Sequence, residues 1–98
     1  MAKKKEEVIT EEEVNVFETF TRNYIILDKT CRGIINPEPP EGMVKAMAKD
    51  IEEKPGFLAF LLRRLEAIWN TTPEEIKTEE VIAMRENVIK EAEELPIK

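Results

Sequence analysis

The chain has no histidine, one cysteine and three glycines, and its longest apolar run is six residues. Each shortage closes off a class of function. Without His the chain lacks the commonest general base and the commonest metal ligand. Gly33, Gly42 and Gly56 each stand beside an expected helix boundary, so no glycine-rich phosphate loop is present. Cys31 has no second cysteine to pair with, which excludes an intramolecular disulfide and a paired-cysteine zinc site and fits a reducing cytoplasm. The Asn70-Thr71-Thr72 glycosylation pattern then reads as chance or as a helix-boundary device. The apolar run 57–62 is far short of the ~20 residues that cross a bilayer. The charged start Met1-Ala2-Lys3-Lys4-Lys5 has no apolar stretch behind it and is not expected to act as a secretory signal. No expected helix pairs an apolar face with a Lys/Arg-rich one, which argues against membrane-surface binding. These absences predict a non-catalytic, cytoplasmic protein with no cofactor, no metal site and no catalytic residue.

What the chain does have is charge and helical periodicity. Its 98 residues are 42% apolar and 37% charged, with a net charge of −6. That length fits one modest core, and the apolar share is too high for a disordered chain. The charge is mostly Glu and Lys, a bias reported for proteins of hot environments. An acidic balance disfavours a surface that attracts nucleic acid everywhere, while leaving room for a local basic patch.

Read in order, the sequence predicts a charged, frayed tail over residues 1–9 and a single helical domain over 10–98. Thr10 and Glu13 make a capping box. Val16, Phe17, Phe20, Tyr24, Leu27 and Cys31 then recur at helical steps, predicting a long helix over about 11–32 that stops at Gly33. Pro37, Pro39 and Pro40 favour an extended spacer. A second helix is expected over about 43–53 and is broken by Pro55-Gly56. A third, over about 57–69, is apolar around much of its circumference and is therefore expected at the centre of the core. Thr72-Pro73-Glu74-Glu75 reads as another capping box that opens a short turn through Lys77. Thr78 caps the last helix, about 79–95, which Pro96 ends. The expected fold is all-α, a compact bundle of four to five helices with a Pro-rich spacer between the first two.

Two sets of residues stand out for binding. On the last helix, Val81, Met84, Val88, Ala92 and Leu95 form one stripe, while Ile82 and Ile89 form a second, displaced by roughly 100° with Arg85 between them. The second stripe is either part of a broad core face or a contact with another chain, in which Arg85 pairs with an acidic residue across the interface. Phe60 faces away from the main stripe of the third helix beside Arg63 and Arg64, as core or as an interface aromatic. These features predict a module that assembles with itself, as a homo-oligomer, or with a larger protein. The alternative is a small accessory nucleic-acid binder of the phage or plasmid type, using Arg22, Lys29, Arg32, Arg63 and Arg64. Glu18 and Asp28, four residues before Arg22 and Arg32, are expected to absorb part of that charge. Cys31 lies on the apolar stripe of the first helix and reads as a small core residue.

Overall fold

The computed structural model describes residues 16–96; the tail over 1–9 and the Thr10–Glu13 capping box lie outside the described residues. The first helix, α1 (Val16–Cys31), buries Phe17, Phe20, Thr21, Tyr24, Ile25, Leu27 and Cys31 along its inner side. Thr21 sits in that face without a polar defect, because its hydroxyl donates 2.7 Å to the Phe17 carbonyl one turn back. The helix ends at Gly33, whose φ of +88° is a conformation that only glycine adopts freely. The Ile34 amide donates back to the Lys29 carbonyl and the Gly33 amide to that of Thr30, the paired closure of a Schellman motif.

Residues 37–40 have no regular structure, and Pro40 is extended at φ −65°, ψ 133°. The second helix, α2 (Glu41–Glu53), starts directly after Pro40, two residues earlier than expected. The acidic Glu41 at its first position suits the positive end of the helix dipole. Pro55 and Gly56 do not form a linker. Lys54 alone is the hinge, extended at φ −120°, ψ 98°, and Pro55 opens the third helix, α3 (Pro55–Asn70). Proline is well placed there, since a first-turn amide has no helical partner to lose.

The expected capping box at Thr72 does not form. The Thr72 hydroxyl donates backward to the Ile68 carbonyl at 2.8 Å and helps close α3. The next element is only a 3-10 turn over Glu74–Ile76, with no side-chain cap. Thr78 does cap the fourth helix, α4 (Glu79–Glu94): its hydroxyl accepts the Val81 amide at 3.3 Å. Leu95 is extended at ψ 135°, as the residue before a proline must usually be.

The described elements are all helical. α1 is the organising element, packed against α2, α3 and α4, while α2 also meets α3. The expectation that the third helix would be the centre is wrong. α3 buries only Leu61 and Leu65 fully, against seven residues of α1. α4 runs antiparallel to α1. Its start, at Thr78 and Val81, shares a groove with Thr30 and Gly33, and its end, at Glu94 and Leu95, shares one with Val16 and Thr19.

Candidate functional site

The second stripe of α4 is only partly absorbed by the core. Val81, Val88 and Ala92 are buried, with Met84, Ile89 and Leu95 half-buried against them. Ile82, at the displaced position, is 39% exposed. Arg85 leans across α4 onto α3: its guanidinium carbon lies 5.1 Å from the centroid of the Trp69 ring. Lys77, from the segment joining the 3-10 turn to α4, places its ammonium 5.0 Å from the same ring and 3.7 Å from Glu74. Two cations on one indole is a stabilising arrangement. It leaves Arg85 without a carboxylate, and its Nε is shielded from solvent with no hydrogen-bond partner among the described residues. Burying a charged donor without a partner is costly, so of the described polar groups this is the one most in need of an acceptor.

Phe60 is 49% exposed and stacks on Phe57, ring centroids 6.1 Å apart. It does not join the Arg85 cluster. Nine residues separate it from Trp69, which at helical spacing puts the two roughly 180° apart around α3. Ile82, Arg85 and Ile89 therefore share a face, and Phe60 belongs to a different one. A third apolar surface carries no signal in the sequence. Ile35 is 84% exposed and Ile34 47%, at the rim of a shallow groove of about 440 Å³ lined also by Ile26, Ile76 and Met84. Two isoleucines in a non-helical loop have no periodicity from which their exposure could be read.

The five basic candidates do not combine into one face. Arg22 reaches Glu41 at 2.6 Å, a partner on α2 in place of the expected Glu18. Asp28 takes two of the others: Arg32 at 2.9 Å, the expected pair one turn apart, and Arg64 of α3 at 3.1 Å. Arg64 also donates to the Tyr24 hydroxyl at 3.4 Å, while that hydroxyl donates to the Leu61 carbonyl at 2.8 Å. This network ties α3 to α1. Burial pushes the Tyr24 hydroxyl above its ordinary pKa, against the opposing pull of Arg64. The hydrogen bond to Tyr24, aided by Asp28, raises that of Arg64 against its own desolvation. Arg63 is exposed and Lys29 half-buried, and neither has an ion pair among the described residues.

Cys31 is 4% exposed and sits in the core. Among the described residues no group of three His, Cys, Asp or Glu side chains is placed to hold a metal ion, and no helix is long and apolar enough to cross a membrane. No protein-family model, curated protein or solved structure matches this chain.

Proposed function

We propose that this protein is a non-catalytic interaction module that assembles with itself or with a larger protein through the outer face of α4. The observation that carries this reading is the pairing of exposed Ile82 with an Arg85 that finds no acceptor among the described residues of its own chain. Aromatic and Arg residues dominate the energetics of protein interfaces, and here a Trp and an Arg are already stacked at the edge of an apolar strip. The lone, buried Cys31 supports a reducing, cytoplasmic setting, and the proline segment over 37–40 serves as a spacer that sets where α2 crosses α1.

Accessory nucleic-acid binding is the weaker reading, because Arg22, Arg32 and Arg64 each already contact a carboxylate. What remains for it is Lys29 and Arg63. One series tests both: the mass of the protein in solution, measured alone, then with DNA and with RNA. Self-association predicts a mass above 11.4 kDa that rises with protein concentration. A mass that stays monomeric alone and rises only with nucleic acid replaces the first reading with the second.

A further inference from the structure

The outer stripe of α4 has a charge order that matches its own reverse. Ile82, Arg85, Ile89 and Glu93 fall within roughly 80° of arc on the helix. Arg85 stands four residues before Ile89, and Glu93 four residues after it. Glu93 is exposed and, like Arg85, takes part in no ion pair among the described residues. We infer that the occupant of this face is a second copy of the chain, packed as an antiparallel α4–α4 pair about a two-fold axis at Ile89. This inference rests on the self-assembly reading above and gives it a geometry.

Symmetry and charge both favour this pairing. In an isologous contact the same patch meets itself, so residues equidistant from the axis on opposite sides face each other. With the axis at Ile89, Arg85 faces Glu93 of the second copy, and Glu93 faces its Arg85. Both charges left over in the monomer, on the Arg85 guanidinium and the Glu93 carboxylate, are met in one step. Ile89 meets Ile89 between the two ion pairs, and Ile82 adds exposed apolar surface outside each of them. A parallel pairing would instead set Arg85 against Arg85 and Glu93 against Glu93, which disfavours it.

The test is sedimentation of wild type and charge variants. One helix face buries less than the roughly 1,600 Å² of a standard interface, so the range should extend to about 500 µM. The expected result is a wild-type dimer whose Kd rises at least roughly tenfold in Glu93→Arg, where like charges now meet, and in Arg85→Glu. The double swap Arg85→Glu with Glu93→Arg restores association. Glu93 is exposed, so its reversal tests the interface without touching the core; circular dichroism checks that Arg85→Glu, which loses its Trp69 contact, stays folded. A wild-type monomer throughout overturns this geometry together with the self-assembly reading. A wild-type dimer that Glu93→Arg leaves equally tight overturns the geometry alone, as does a folded double swap that does not re-associate.

Discussion

α1 and α3 are helices of equal length, 16 residues each, and their sequences rank them in the wrong order. α3 holds Phe57, Leu58, Phe60, Leu61, Leu62, Leu65, Ile68 and Trp69, yet only Leu61 and Leu65 are fully buried. α1 mixes its apolar residues with Thr, Asn, Asp and Arg, yet buries seven positions and touches every other described helix. Burial depends on what surrounds a helix as well as on its composition. α1 has α2 on one side and α4 on another with α3 alongside, whereas α3 leans mainly on α1 and α2. The apolar surplus of α3 is therefore left at the edge of the bundle, where Phe60 stays half open.

Two phenylalanines of identical chemistry show the contrast most sharply. Phe20 of α1 is 0% exposed, its ring centroid 6.0 Å from that of Tyr24, and Phe60 of α3 is 49% exposed. Phe20→Ala should cost about 3–5 kcal/mol, the sum of lost transfer energy and an unfilled cavity. Phe60→Ala should cost less than about 1 kcal/mol, because water already reaches much of its surface. Urea unfolding of the two variants measures both numbers. Equal losses would mean that α3 is as central as its sequence implies.

A smaller effect tests the latch between the two helices. Asp28 has a side chain only 15% exposed and binds Arg32 and Arg64, so Asp28→Ala removes two charged contacts together. About 1–2 kcal/mol of stability should be lost, since hydrogen bonds to charged groups are worth more than neutral ones but Arg32 and Arg64 remain partly solvated. Arg22→Ala provides the contrast. Its pair with Glu41 joins α1 to α2 between side chains 37% and 61% exposed, and its loss should cost under about 1 kcal/mol. A larger loss at Arg22 than at Asp28 would place the decisive tie on α2 rather than α3.

These contrasts also mark what was legible in the sequence. Features closed within one or two turns were readable: the Gly33 stop, the Thr78 cap, the Asp28–Arg32 pair and the placing of Cys31 on the inner stripe. Their chemistry depends only on near neighbours. Features with competing partners were not. Thr72 had a choice between the amides ahead of it and the Ile68 carbonyl behind it, and the pattern Thr-Pro-Glu-Glu does not encode that choice. Arg22 turned from Glu18 to Glu41, 19 residues away. The same holds for the candidate site. Ile82, Arg85 and Ile89 were identifiable as a set because they lie on one helix. Trp69, which holds Arg85 in place, was invisible because it comes from another.

The effect most specific to the α1–α3 contact reads a single hydroxyl. Tyr24 is the only tyrosine, is 1% exposed, and donates from α1 to the Leu61 carbonyl of α3. Tyr24→Phe keeps the ring and removes the hydroxyl, so near neutral pH the loss should be about 0.5–1.5 kcal/mol. At strongly alkaline pH the two proteins should converge. Burial raises the folded pKa of Tyr24 above its ordinary 10.0, so the unfolded chain releases its proton first as pH climbs. The folded state then binds more protons than the unfolded one, and stability falls with rising pH. The Tyr24 contribution is thus complete below pH 10.0 and declines above it, while the phenylalanine variant has no proton to lose there. Urea midpoints for both proteins at about pH 7 and about pH 11 measure the difference. A gap that stays constant across that range would mean that the hydroxyl is as well solvated in the fold as in the unfolded chain, and that α3 sits less tightly on α1 than the Tyr24–Leu61 bond implies.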